Sequence, residues 1–209
     1  MTTIIGICGF IGSGKDTAAD YLVNFHEFRR DSFASTLKDA VAAVFSWDRE
    51  LLEGRTKQAR EWREQVDPWW ASRLNMPNLT PRLILQLWGT EVCRRGFHDD
   101  IWIASVENKM RTSTDNIVIS DCRFPNEIQS IRNAGGKVVW VQRGELPEWH
   151  STATMANCGF YPGYKEKLAT YNIHASETAW AGTSFDYTID NNGSIEALYA
   201  QIRNLVQEG

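Results

Sequence analysis

The stretch GFIGSGKDT, Gly9 to Thr17, decides how the rest of the chain is read. It nearly spells the phosphate-loop pattern G-x-x-x-x-G-K-[ST], but Asp16 stands where the hydroxyl belongs and Thr17 follows one step later. Before it, TIIGIC (Thr3 to Cys8) is a short apolar run rich in β-branched residues, as in a buried strand. After it, Ala18, Ala19, Leu22 and Phe25 recur at helical spacing across Lys15–Phe25. Strand, glycine loop and helix is the setting a phosphate loop requires. Gly9, Gly12 and Gly14 let backbone N–H groups turn onto phosphate oxygens, the helix adds its positive end, and Lys15 spans the β- and γ-phosphates. The competing account is a glycine turn that only joins strand to helix; the flanking elements and Lys15 weigh against it. Asp16 alters the detail, since a carboxylate holds Mg²⁺ directly or through water while Thr17 keeps its hydroxyl for a phosphate.

Working outward, Arg30–Phe33 reads as a second, weak strand and Ser35–Phe45 as an amphipathic helix. Residues 47–78 are charged and tryptophan-rich; Gln58–Gln65 is expected to be helical and Pro68 to end or kink it. Thr80-Pro81 is a helix start, with a hydroxyl at the N-cap and proline at the first position. That helix is expected to run through RLILQLWGTEVCRRGF with Gly89 as an interior irregularity, and another follows near Ile101–Met110. NIVISD (Asn116 to Asp121) reads as a central parallel strand, Asn126–Asn133 as a helix stopped by Gly135-Gly136, and KVVWVQ (Lys137 to Gln142) as a further strand. Residues 144–180 show little periodicity and are expected to form a loop or lid. Phe185–Ile189 and Ser194–Gln207 complete the chain as strand and helix. Strands alternating with helices imply a three-layer α/β fold, a central parallel sheet of about five strands covered on both faces. The whole, residues 1–209, is expected to be one domain with a helical insertion at 47–112.

The 209 residues carry 43% hydrophobic and 23% charged residues, the balance of an ordinary soluble domain with a full core. A formal charge of -4 speaks against a nucleic-acid polymer as partner. The four cysteines form no CxxC pair and no metal-ligand spacing, as expected of reduced thiols in the cytoplasm. No signal peptide or membrane span is expected, since no apolar segment approaches about 18 residues. Nine tryptophans are many for this length, and large core fillers are the plainest account of each.

Beyond the loop, Asp121 ends an apolar strand, the place of an acid that positions Mg²⁺, with Arg123 at the same sheet edge and Arg143 closing the next strand. A purely structural Asp–Arg pair is the alternative. Arg82 and Gln86 share a helix face, with Gly89 and Thr90 on the next turn and Trp102 further on. A guanidinium for a phosphate and an amide for a base edge suit one another chemically, and a solvated face over a leucine core is as good a reading of the spacing. Lys38 is ambiguous by itself.

The Gly-Lys-x-Thr spelling resembles the adenylate-kinase-like nucleoside monophosphate kinases. GSGKDTAAD (12–20), FASTLKDA (33–40), RLILQLWGTE (82–91) with Trp102, SDCRFPNE (120–127), VVWVQRG (138–144), HASE (174–177) and NNGSIEALYAQI (191–202) together resemble the bacteriophage deoxynucleoside monophosphate kinases. The resemblance implies transfer of the ATP γ-phosphoryl group, with Mg²⁺, to a deoxynucleoside monophosphate. It implies that Gly12, Ser13, Gly14, Lys15, Asp16, Thr17 and Arg143 hold ATP, and that Lys15, Asp121 and Arg123 serve the transferring phosphoryl group. Asp16, Thr17 and Asp121 would hold the metal; Lys38, Arg82, Gln86, Gly89, Thr90, Trp102 and Arg123 would hold the monophosphate. A homodimer is also implied. The chain departs from the family pattern at Ile11 and Gly12, where basic residues are expected, so Arg94 or Arg95 would supply that charge. His174 and Glu177 match the pattern, with lid closure as their only assigned role. Two rivals stand beside this reading. One is a kinase of a hydroxyl, such as that of dephospho-coenzyme A, with Asp31 as base. The other is a nucleotide-binding module without turnover.

Overall fold

A computed structural model of the chain describes residues 2–159 and 162–207. Two compact units divide it: residues 1–32 with 106–209, and residues 33–105. The second unit includes the helix that precedes residue 47.

The first unit is built on a parallel five-stranded sheet in the order β2-β3-β1-β4-β5. Its strands are β1 (Ile4–Cys8), β2 (Phe28–Asp31), β3 (Asn116–Ile119), β4 (Lys137–Gln142) and β5 (Tyr187–Asp190). All five residues of β1 are buried, and it pairs with β3 on one side and β4 on the other. Such strands must be apolar on both faces, which is why IIGIC and VVWV read as continuous runs and not as alternation. Helices α1 (Lys15–Phe25) and α12 (Ile195–Gln207) bury Ala18, Ala19, Leu22, Leu198, Ile202 and Leu205 against Ile5, Ile7, Val118, Val139 and Ile189. Each fully buried Leu or Ile contributes roughly 1.5–3 kcal/mol of transfer free energy. Helix α8 (Pro125–Asn133) packs closely on the sheet: a Cβ on Gly6 would stand 2.3 Å from Ile131 Cδ1.

Three expectations are corrected here. The second strand lies at Phe28–Asp31, two residues earlier than expected, because Phe28 is the buried residue and Asp31 Oδ1 accepts the Ser32 N–H at 2.8 Å, drawing the chain out of the sheet. The last strand starts at Tyr187, since Asp186 first takes the Val138 N–H on its carboxylate at 2.7 Å. Residues 144–180 are no bare loop. They hold α9 (His150–Cys158), α10 (Tyr164–Thr170) and α11 (Ala175–Thr178).

The second unit is helical: α2 (Ser35–Phe45), α3 (Arg49–Glu53), α4 (Lys57–Arg63), α5 (Pro68–Arg73) and α6 (Pro81–Gln86), then a π-helical segment (Leu87–Arg95) and the start of α7 (Ile101–Thr112). Side-chain caps open the short ones: Asp48, Thr56, Asp67 and Thr80 each accept backbone N–H groups of the first turn. Pro68, expected to end a helix, begins one. The helix from Thr80 changes pitch at Leu87, which accounts for the irregularity expected at Gly89. Five of the nine tryptophans (Trp47, Trp62, Trp70, Trp88, Trp102) belong to this unit's core with Leu37, Val41, Phe45, Leu52 and Leu79. Among the described residues no helix is long and apolar enough to cross a membrane.

Candidate active site

Because the sheet is parallel, the segments after β1, β3 and β4 leave it at one edge, where open α/β folds bind ligands. The loop after β1 carries Gly12, Ser13 and Gly14 into α1. Gly14 adopts φ 98°, a left-handed conformation that glycine reaches at no steric cost. Phe10 carbonyl accepts two groups, the Ser13 N–H at 3.1 Å and the Lys15 ammonium at 2.6 Å. Ser13 is buried and its Oγ has no hydrogen-bond partner among the described residues. A buried hydroxyl left without a partner costs free energy unless a ligand supplies one.

Asp16 is exposed, and its carboxylate pairs with Arg30 from β2. That guanidinium also binds Asp20 at 2.8 Å and Ser120 Oγ at 2.7 Å, so the residue that breaks the loop pattern is tied to the end of β3. Thr17 lies half-buried in the first turn of α1. Asp121 follows β3 by two residues, and Arg123 comes next but one. Buried Glu127 in α8 accepts the Arg123 backbone N–H at 2.8 Å and that of Phe124 at 3.1 Å, fixing where Arg123 leaves the chain. The Arg123 guanidinium reaches Ser176 Oγ at 3.2 Å and Glu177 Oε1 at 3.3 Å, both in α11. Burial lowers the Lys15 pKa, and so does the nearby Arg123 charge; Asp16, Glu177 and Cys8 act in the opposite direction. Lys15, Asp16, Arg123 and Glu177 therefore share one electrostatic neighbourhood. Arg143, just past β4, is exposed and stands apart from these contacts.

The segment after β4 is bound to the loop by aromatic rings. Phe10 meets Trp149 at 5.5 Å, His150 at 5.8 Å and Trp180 at 4.7 Å between centroids. Trp140 of β4 stacks on His150, and burial lowers the His150 pKa. His174 caps α11, accepting the Ser176 N–H.

In the helical unit, Lys38 Nζ donates to Glu53 Oε1 at 2.7 Å, and Arg49 donates to Glu53 Oε2 at 2.6 Å. Burial alone would raise the Glu53 pKa; the hydrogen bonds and charges of Lys38 and Arg49 outweigh it and bring it down to about 2. Arg82 and Gln86 are exposed on α6, and Arg82 pairs with Glu64 at 3.3 Å. Thr90 is half-buried in the π-helical segment, as is Arg94, while Arg95 is exposed and paired with Glu91 at 2.6 Å. Trp102 is buried, and its indole N–H donates to the Gly89 carbonyl at 2.9 Å. This is the bond of a strut, not of a free ring face.

Several residues escaped the sequence reading. Arg63 stands near Arg82; burial first, and then the Arg82 charge, lower its pKa, while its Nε is buried without a hydrogen-bond partner among the described residues. Arg30 and Glu53 act on expected site residues from places where no local pattern marks them, while Glu127 and Asn191 stand in the quoted blocks SDCRFPNE and NNGSIEALYAQI without a role assigned to them. Only HASE hinted at Glu177. Among the described residues no three His, Cys, Asp or Glu side chains converge on a metal site. The oxygen donors of Asp16, Thr17 and Asp121 are of the kind Mg²⁺ takes beside its waters and substrate phosphates.

Residues 71–157 match the family model described as deoxynucleotide monophosphate kinase. A protein of Acanthamoeba polyphaga mimivirus, provisionally named deoxynucleotide monophosphate kinase, is 31% identical over 97% of this chain and 95% of its own. The deoxynucleoside-5'-monophosphate kinase of Escherichia phage T5 is 28% identical over 63% of this chain and 72% of its own. Among solved structures, dephospho-CoA kinase from Campylobacter jejuni aligns over 99% of this chain and 97% of its own at 16% identity and a TM-score of 0.43, too distant to bear on the reaction. With 31% identity sustained over 97% of its length, the chain belongs to the deoxynucleotide monophosphate kinase family.

Proposed function

We propose that this chain transfers the γ-phosphoryl group of ATP to a deoxynucleoside monophosphate, giving the diphosphate. The observation that supports the reading is a glycine loop whose Lys15, partly buried, also lies in the field of Arg123, burial first and then that charge lowering the Lys15 pKa. Gly12, Ser13, Gly14 and Thr17 would hold the triphosphate through N–H and hydroxyl groups, with Arg143 at the same edge. Asp16, Thr17 and Asp121 would hold Mg²⁺, through water where Arg30 engages Asp16, and the ion would neutralise phosphate charge. Lys38, Arg82, Gln86 and Thr90 would hold the monophosphate, joined by Arg63, with Gly89 and Trp102 fixing the segment that carries Thr90.

The acceptor is a phosphate monoester with a second pKa of about 6, already a nucleophile at neutral pH. No base is required. Catalysis reduces to aligning two polyanions and offsetting their repulsion, the work of Lys15 and Arg123. Asp31 fits this account: it is buried and bound to Lys109 at 3.3 Å and Arg29 at 3.5 Å, a structural arrangement. Ser176 and Glu177 give the 144–180 segment a grip on Arg123, and closure there would exclude water. A homodimer remains part of the same proposal, read by light scattering.

The test is ADP release with ATP and Mg²⁺ against a panel of deoxy- and ribonucleoside monophosphates. Turnover is expected with at least one deoxynucleotide, loss of at least 100-fold in Lys15→Met, and a change under about twofold in Asp31→Asn. Loss of turnover in Asp31→Asn, with release driven by an alcohol acceptor, would establish the hydroxyl kinase instead.

A further inference from the structure

Asn191 lies far from the glycine loop in sequence, yet its side-chain amide donates to the Ser13 carbonyl at 2.8 Å. Its own backbone N–H is fixed on the Gln142 carbonyl at 2.8 Å, at the end of β4. The turn that bears it is cross-braced. Asp190 Oδ1 accepts the Asn192 N–H at 2.9 Å, Gln201 bonds both backbone groups of Asp190, and Asn192 Oδ1 accepts the Gly144 N–H at 2.7 Å. The amide therefore reaches the loop from a rigid mount.

A trans peptide points its C=O and its N–H in opposite directions. Holding the Ser13 carbonyl against Asn191 therefore points the Gly14 N–H away from Asn191, from the opposite edge of the same peptide. Gly14 heads α1, where N–H groups have no partner within the helix and face an anion. The contact is close enough to explain the glycine: a Cβ there would stand 2.3 Å from Asn191 Nδ2. The Ser13 hydroxyl beside it is buried and without a hydrogen-bond partner among the described residues, as in a loop shaped around a ligand it does not itself supply.

We infer that Asn191 is a positioning residue for the phosphate loop, holding the Ser13–Gly14 peptide so that its N–H faces a polyphosphate. The inference deepens the proposed function and rests on the loop being a polyphosphate site. Its measurable mark is selective: the ATP side weakens and the monophosphate side does not.

The experiment measures binding of inorganic tripolyphosphate to the full chain by calorimetry, for wild type, Asn191→Ala, Asn191→Leu and Asn192→Ala, alongside KM for ATP and for the deoxynucleotide. Asn191→Leu keeps volume without the donor, so it serves if the alanine variant melts too low to assay. Expected is a roughly tenfold weaker tripolyphosphate affinity and higher ATP KM in both Asn191 variants, the size of one lost hydrogen bond. The monophosphate KM stays within twofold, and Asn192→Ala, which removes one brace of the mount but keeps the donor, weakens tripolyphosphate less than either Asn191 variant does. Equal tripolyphosphate affinity in wild type and both Asn191 variants overturns the inference, as does a parallel rise in both KM values. A wild type that binds tripolyphosphate but shows no kinase turnover sinks the proposed function while leaving this test readable.

Discussion

At the scale of single residues, charge pairs govern both parts of the candidate site. Glu53 binds Lys38 and Arg49, and its folded value of about 2 lies below its ordinary 4.5. A carboxylate depressed in the fold stabilises fully above its unfolded pKa, and that contribution is lost as pH falls from about 4.5 toward 2. Discounted for solvent screening, the effect is on the order of 1 kcal/mol. Urea midpoints at pH 7 and pH 3 are expected to differ less in Glu53→Gln than in wild type, because the variant lacks the group whose protonation is felt. Sequence alone made Lys38 ambiguous because its partner lies fifteen residues away on another helix. Arg63 was hidden for a similar reason: REWREQ is an unremarkable charged run, and only packing brings Arg63 near Arg82 and buries its Nε. The glycine loop, by contrast, was legible as a strand-to-helix junction because the spacing of its glycines between β1 and α1 is stated directly in the sequence.

At the scale of elements, legibility followed length and burial. The central strands β1, β3 and β4 are largely buried and declare themselves as apolar runs, whereas the edge strands β2 and β5 carry exposed polar residues and had their bounds misplaced. The helices α3, α4 and α5 are five to seven residues long, too short to show a repeat of 3.6, and only their caps mark them. Thr80-Pro81 was read because an apolar stripe follows it; Asp67-Pro68 carries the same signal and was taken for an end. Helix α10 buries none of its residues, so 144–180 offered no stripe to find. The π-helical segment depends on a tertiary bond, from the Trp102 indole to the Gly89 carbonyl. Trp102→Phe removes that buried hydrogen bond, at a cost on the order of 1 kcal/mol. Amide exchange across 87–95 is expected to quicken more than across α2; uniform quickening would assign the loss to the core instead.

At the scale of the whole chain, the expected site residues divide between the units. Lys15, Asp16, Thr17, Asp121, Arg123 and Arg143 belong to the sheet unit, and Lys38, Arg82, Gln86, Gly89, Thr90 and Trp102 to the helical one. Hydrogen exchange therefore separates the two roles: tripolyphosphate is expected to protect residues 9–17, and a deoxynucleoside monophosphate alone to protect 82–95. The opposite pattern would exchange the assignments. The rings around Phe10 add an optical consequence. Trp149 and Trp180 lie against Phe10, whose carbonyl takes the Lys15 ammonium. An anion that draws Lys15 away removes one of the two hydrogen bonds on the carbonyl of a residue packed against two indoles, so intrinsic fluorescence is expected to change with occupancy of the loop. His150 stacks on Trp140, and burial lowers its pKa, which disfavours its cationic, quenching form.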